Sequence, residues 1–494
     1  MYGILVVCVS ALMLIQNVAG AGPGIAWGAQ ATLSTVDVLA SQDPENSGYG
    51  LLQVSVWEEW NGADWDIYMK TSNADGAPGT WVFPALHPAT TAADEINPAV
   101  SVTRNHAVLG QEIHVVYQRW NAANNIWEIC HTYTPYPVIA WTAPVVISSG
   151  GLSATNPACA YTEDQAIPGG GVNPGTLIQI VWEEVNPGPA GGTQIMYRAY
   201  AYDPTWAPVR GYVPAIVAAP FIIRTPPVAG STCELPEIAS VDERVNAAAY
   251  DYYFSVVWQE FDPVVGVWDI WYDDGTTTTS SPVPPPPPPA IALTLGSLGT
   301  LNIPVVGNDY TNPDIAASQD YQLLGMAQSY FFHVDFVLTV AGAPITYFID
   351  NCWLFGGIPT PGAGPFSLPA IVYNAGPNIV DNPTIATKLT SLPGAVPITF
   401  DTWFAWEDNS NLLAPTAIWY RAGTYTTGPP PVFFYFVASI RVPYIPNPGA
   451  STDRNPELWN REDALRVNPP LTHLVFERNP HPAGITAEVE YIDP

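Results

Sequence analysis

The chain has 494 residues, 48% of them hydrophobic and 12% charged, with 53 Pro and 39 Gly. That much apolar material excludes a disordered chain, and the abundance of Pro and Gly works against helices, so many short strands in an all-β fold are expected. Fourteen Lys and Arg face 44 Asp and Glu, a formal net charge of −30, which repels phosphate backbones and anionic lipid, excludes nucleic acid as a partner and favours cations, Ca²⁺ above all.

In chain order, "MYGILVVCVSALMLIQNVAGAG" opens with an apolar run from Ile4 to Ile15 and small residues near Gly20. It reads as a secretory signal peptide over residues 1–20, or as a retained apolar segment, although no Lys or Arg precedes the run. Export is expected, with the membrane touched only in transit and an extracellular or cell-surface destination. "LVVC" ending at Cys8 is a poor lipidation box, and no later run reaches transmembrane length. Cys130, Cys159, Cys233 and Cys352 follow, an even number that permits disulfides as readily as buried free thiols. Asn382-Pro383-Thr384 is blocked as a glycosylation site by its proline.

From residue 25 onward one unit recurs. It opens on Asn-Pro and a small-residue strand: "NPAVSV" at Asn97, "NPACAY" at Asn156, "NPDIAA" at Asn312, "NPTIAT" at Asn382 and "NPELWN" at Asn455. "LPEIAS" at Leu235 and "VDVLAS" at Val36 are assigned to the same slot. An aromatic-plus-acid strand comes next, around Trp57, Tyr117, Trp182, Trp258, Trp406 and Phe476, with "HVDFVLTV" near Phe336 its weakest copy. A third strand follows in most copies, as in "DIYMK" at Asp66 and "QIMYRAY" at Gln194, then a loosely written fourth, as in "WVFPAL" at Trp81 and "PVVISS" at Pro144. Four short strands repeated seven times predict a seven-bladed β-propeller over 25–494, because a lone four-stranded blade leaves both faces unburied. The last copy lacks a strand, so the N-terminal segment, with Trp27, Ala29, Ala31 and Leu33, is expected to complete it and close the ring. The near-identical "VDVLASQD" and "PDIAASQD" are then the innermost strands of the first and fifth blades. "SSPVPPPPPPA" at 280–290 is read as a polyproline excursion between blades, its rival being a linker between two β domains near 1–280 and 291–494. The repeat resembles the sialidase-like propeller superfamily, and "SNADGAPGTW" from Ser72 to Trp81 is similar to a degraded Asp-box turn of that family.

The acid after the aromatic recurs as Glu58, Glu183, Glu407 and Glu477, with Gln118 and Gln259 in matching slots. A catalytic carboxylate need not tolerate Gln, whereas a group holding a backbone amide does, so a structural role is expected. Arg104, Arg119, Arg198, Arg224, Arg244 and Arg421 form no sialidase-type cluster, the seven His show no zinc spacing, and "GxSxG" is absent. The chain is accordingly expected to be a non-catalytic structural or adhesive subunit whose partners are copies of itself or extracellular polysaccharide, assembling through its N-terminal segment. The alternative is a carbohydrate-active propeller, lectin or glycoside hydrolase, with Trp60, Trp65 and Trp120 stacking on sugar rings. Acidic turns holding Asp43, Glu45, Asp64, Asp66, Asp408 and Asn409 are the candidate ligands for Ca²⁺.

Overall fold

The computed structural model describes residues between Gln30 and Ile492, leaving aside 1–29, 35–39, 75–79, 83–85, 90, 104–110, 138–139, 164–175, 203–212, 215–219, 242–248, 281–290, 297, 302–306, 320–328, 341–345, 357–369, 375–378, 390–398, 410–415, 427–431, 436–439, 442–451, 461–471, 480–487 and 493–494. Every regular element among them is a strand, and no helix is long and apolar enough to cross a membrane.

The strands form antiparallel sheets, seven among the described residues. The first takes Ser41–Tyr49, Leu52–Trp60, Trp65–Ser72 and Leu86–Ala89; the second Glu95–Val102, Gln111–Asn121, Ile126–Tyr136 and Val145–Val146. In the third, Ala154–Glu163, Thr176–Val185 and Thr193–Tyr202 are followed by two short strands, Val213–Pro214 and Phe221–Arg224, that both pair with Thr193–Tyr202. The fourth is built likewise from Thr232–Val241, Ala249–Asp262, Val267–Ser280, Ile291–Leu295 and Gly299–Thr300. Asp309–Gln319, Ser329–Thr339, Thr346–Gly356 and Ala370–Asn374 make the fifth, and Ile379–Leu389, Thr399–Asn409, Ala417–Thr426, Val432–Tyr435 and Ile440–Arg441 the sixth. The seventh joins Thr452–Asn460, Thr472–Asn479 and Glu488–Ile492 to Gln30–Thr32 from the other end of the chain.

Each first strand touches the first strand of the next sheet, and Thr452–Asn460 touches Ser41–Tyr49, so the circuit closes as a β-propeller. Its core is distributed in the same way, in wedges between neighbouring sheets: Val54, Ile67 and Tyr117 between the first two, Ile180 and Trp182 with Ile129 between the next two, and so on round to Leu33, Trp57, Trp81 and Val475 between the last and the first. The second strand of a sheet therefore has a neighbour over both faces, which is why Leu52–Glu59 is buried at every position and reads as a continuous apolar run. Trp57, Tyr117, Trp182, Trp258, Phe336, Trp406 and Phe476, the repeating aromatics, are all completely inaccessible.

The closing strand is described from Gln30 onward. Gln30, Ala31 and Thr32 pair with Ile492, Tyr491 and Glu490, and Leu33 follows into the wedge beside Trp57. Trp27 and Ala29 lie outside the described residues. The proline run also lies outside them, but Ile291–Leu295 beyond it pairs with Val267–Ser280 before it, within one sheet, so it does not divide two domains. Cys130, Cys159 and Cys233 are free thiols, which removes the disulfide reading for those three.

One assignment of the repeat needs correcting. The first sheet's innermost strand is Ser41–Tyr49, and its counterpart of the Asn-Pro pair is Asp43-Pro44, not the "VDVLAS" segment. The shared "SQD" falls at the start of that strand in one case and at the end of Asp309–Gln319 in the other, so the doubled octapeptide is not a structural equivalence.

Candidate functional site

The innermost strands all break register at the same place. Two residues, an X-Pro pair, stand opposite a single residue of the second strand at Asp43-Pro44, Asn97-Pro98, Asn156-Pro157, Leu235-Pro236, Asn312-Pro313, Asn382-Pro383 and Asn455-Pro456. A bulge suits these residue types: Pro has no ladder N–H to lose, and Asp and Asn tolerate the left-handed conformation that the preceding position adopts. Its φ is +47° at Asp43, +48° at Asn97, +49° at Asn156, +51° at Leu235 and Asn312, and +42° at Asn382.

The amide freed at each bulge is caught by the preceding sheet. Asn97 N donates to Glu58 Oε2 at 2.9 Å, Asn156 N to Gln118 Oε1 at 2.7 Å, Leu235 N to Glu183 Oε1 at 2.7 Å and Asn312 N to Gln259 Oε1 at 3.0 Å. This is the amide-holding role expected of the recurring Glu or Gln. The same side chains also bind the Asn of their own sheet, Asn97 Nδ2 reaching Gln118 Oε1 at 2.6 Å, Asn156 Nδ2 reaching Glu183 Oε1 at 2.6 Å and Asn382 Nδ2 reaching Glu407 Oε1 at 2.7 Å. In the fifth sheet Val337 stands in the acid's slot, and Asn382 N turns to Asp381 Oδ1 at 3.2 Å instead. The first sheet departs in another way: Asp43 meets Glu58 carboxyl to carboxyl, in a hydrogen bond between the two side chains.

Converging on the axis, the bulges enclose a cavity of about 330 Å³. Residues next to the prolines point their chemistry into it: Glu45, Glu237, Asp314 and Glu457, joined by Asp43, with no Lys, Arg or His among the described residues of the lining. Burial pushes the Glu45 carboxyl up to about 8, helped by the charges of Asp314 and Asp43. Burial likewise raises Glu237 and Glu457 well above the usual carboxylate range, with Asp314 and Glu45 adding repulsion to both. Asp314 is raised by burial, less so because its oxygens accept from Ile385 N at 2.8 Å and Ile315 N at 2.6 Å. Glu58, 2% exposed, is pushed up to about 8 by burial and then by the Asp43 charge. Glu45 and Glu58 therefore keep a proton to higher pH than ordinary carboxyls do.

The same end carries the hairpins that join second and third strands. Gln42 pairs with Glu58 and Ile96 with Gln118, so the partly exposed Trp60 and Trp120 lie two residues past the bulge level. Trp60 packs edge-on against its cross-strand partner Trp65 at 5.7 Å, Trp120 against Trp127 at 5.3 Å, and Phe261 tilts over Trp268 at 5.2 Å. The proposed sugar-stacking residues thus belong to a repeated aromatic pair across the hairpin and are partly exposed.

The acidic turns do not assemble into one centre. Asp43 and Glu45 face the axial cavity. Asp64 and Asp66 sit in the first hairpin, where both accept from Asn61 Nδ2, and Asn61 Oδ1 accepts from Ala63 N and Asp64 N. Asn121, Asn186 and Asp262 accept from hairpin amides in the same fashion, which makes this a turn device of the repeat. Asp408 is buried in the sixth sheet and the Asn409 side chain lies outside the described residues. Among the described residues no three His, Cys, Asp or Glu side chains converge on one metal position.

Sequence reasoning missed Glu237, Asp314 and Glu457 as site residues, and missed the Asp43–Glu58 contact. The signal was present: an acid directly follows the slot's proline at 45, 237, 314 and 457.

No family model matches the chain, and no curated protein does. Among solved structures it is similar to the hemagglutinin-neuraminidase ectodomain of parainfluenza virus 5, at 9% identity and a TM-score of 0.41, covering 100% of this chain and 93% of that one. It is similar also to an alpha-L-arabinofuranosidase from Fusarium graminearum, at 10% identity and a TM-score of 0.37 over 80% of this chain and 91% of the other. For an endo-arabinase of Bacteroides thetaiotaomicron the figures are 13% and 0.27, over 67% and 99%. The expectation that the chain is not an enzyme is corrected by this comparison, since the solved structures similar to it are mostly glycoside hydrolases. The likeness is one of fold and carries no reaction across to this chain.

Proposed function

We propose that the chain is an exported, seven-bladed, carbohydrate-active propeller that works at its axial pocket. The observation that carries this reading is the pocket itself: an acid-lined cavity at the end of the ring where the hairpins present paired aromatic residues. Aromatic faces and edges give a sugar ring its apolar contact, while carboxyls of raised pKa supply proton donors beside carboxylate acceptors, the pair of roles that glycosidic cleavage uses. With acids and no cationic side chain among the described residues of its lining, the pocket suits neutral glycans better than sugars bearing carboxylates. The test applies the purified full chain to a glycan array and to a panel of aryl glycosides of neutral sugars. Binding or release that Trp120→Ala weakens at least tenfold supports the reading, and a chain silent on both is incompatible with it.

A second reading is favoured by one feature, the closure of the ring by a strand from the far end of the chain, Gln30–Thr32 among the described residues. The same strand offered to another copy's last sheet would link molecules head to tail at the cell surface. Negative-stain images of the native material, with and without residues 1–34, decide it: fibres that vanish on deletion support exchange, and isolated rings in both samples refute it.

A further inference from the structure

Resting on the carbohydrate reading of the axial pocket, the geometry points to Asp43 and Glu58 as a single proton-sharing pair, with Asp43 the catalytic acid and base and Glu58 the positioning residue behind it. Where the Asn of an innermost strand meets the acid or amide of its own second strand, the partners are Asn97 with Gln118, Asn156 with Glu183 and Asn382 with Glu407, each an N–H donor facing an acceptor. Only in the first sheet, among these pairs, does a carboxyl replace the donor. Two carboxyls in hydrogen-bond contact must share one proton, since neither brings an N–H and both ionised would repel.

The surroundings fix which member does what. Glu58 is buried and held from two further sides, Oε2 accepting from Asn97 N at 2.9 Å and Oε1 from Gln42 Nε2. Asp43 stands on the cavity wall with Glu45, Glu237, Asp314 and Glu457, and its charge acts on Glu45. A fold repeats its structural contacts and departs from them where chemistry is required. In glycoside hydrolysis the shared proton passes to the glycosidic oxygen as its bond to the anomeric carbon breaks. Water adds its oxygen to that carbon and returns a proton to the pair, so the group is regenerated.

The chain supplies its own conservative variants, because Asn occupies the Asp43 slot in five other sheets and Gln the Glu58 slot in two. Asp43→Asn and Glu58→Gln should both fold, with unchanged circular dichroism. Infrared difference spectra at neutral pH, parent minus each variant, should show the carbonyl stretch of a protonated carboxyl. Any aryl glycoside turned over by the parent should be cleaved at least about 100-fold more slowly by Asp43→Asn, with the acid limb of the pH profile abolished. Absence of the carbonyl band from both difference spectra overturns the pair, whatever the sugars do. A band without any sugar binding or cleavage overturns the carbohydrate reading and the catalytic role while leaving the shared proton standing, and full activity in Asp43→Asn removes that residue from the reaction.

Discussion

Leu235 is the residue that the ring's geometry fits worst, and replacing it should stabilise the protein. It adopts φ +51° without being Gly, Asn or Asp, while the equivalent positions that share this conformation carry Asn or Asp. A left-handed conformation costs a branched side chain roughly 1–2 kcal/mol, and Asn about half of that. In Leu235→Asn the amide stays bound to Glu183, and the new Nδ2 lies where Asn156 Nδ2 lies in its own sheet, within reach of Gln259 Oε1. That bond adds about 1 kcal/mol, and the loss of a half-buried leucine subtracts a similar amount, leaving a net gain of about 1 kcal/mol. At about 2 cal/mol/K per residue, the gain raises Tm by only about 1 °C in a chain of this length, so equilibrium urea unfolding followed by tryptophan fluorescence is the better assay. Leu235→Ala and Leu235→Gly separate the contributions. Ala keeps the strain and loses the packing, Gly relieves strain but enlarges the unfolded ensemble, and the expected order of stability is Asn, then Gly, then Ala. An Asn variant no more stable than Ala would show that backbone strain at this bulge is not what the repeat selects against.

Four further expectations can be checked with the same unfolding assay. Glu183→Ala leaves Leu235 N–H and Asn156 Nδ2 without their acceptor and should cost about 2–3 kcal/mol, whereas Glu183→Gln should cost less than about 1, as Gln already fills this slot at 118 and 259. Trp182→Ala empties the wedge between the second and third sheets and should cost about 3–5 kcal/mol. His114 and His131, buried with Nδ1 and Nε2 3.0 Å apart, have their pKa values lowered by burial, His131 to about 3. The unfolded chain therefore takes up protons below pH 6.5 that the folded one refuses, and stability falls by up to about 1.4 kcal/mol per pH unit for each imidazole. The advantage of the parent over His131→Asn should shrink by about 2 kcal/mol between pH 6.5 and 5. Glu45 and Glu58 act with the opposite sign: their raised folded-state values mean that stability is lost as pH rises from about 4.5 to 8, and Glu58→Gln should flatten that slope.

The propeller was legible because its constraints are periodic. Burial of the second strand on both faces writes itself as "VSVWEEW", "QIVWEEV" and "SVVWQEF", and the bulge writes itself as Asn-Pro, since few other pairs supply a left-handed residue followed by one needing no ladder bond. The interchange of Glu and Gln disclosed an acceptor role before any distance was known. The first sheet was misread for the same reason: Asp43 breaks the Asn rule, and a chance echo of "SQD" drew the register several residues too early. The axial pocket was legible only as an acid after the slot's proline, at 45, 237, 314 and 457. Which acids face one another depends on the ring bringing residues 45, 237, 314 and 457 to one axis, a relation no local pattern contains. Trp60, Trp65 and Trp120 were found by type alone, and their pairing across hairpins follows from strand register, which the sequence states only indirectly.

The four bulge latches all run one way, the later amide donating to an acceptor earlier in the chain. During synthesis each newly emerging innermost strand thus meets a docking group already made, and the ring can be assembled segment by segment in the order of translation. The first segment alone has no predecessor. Its wedge stays open until Thr452–Asn460 and Thr472–Asn479 arrive beside Leu33 and Trp57, so the seventh sheet decides when the ring becomes watertight.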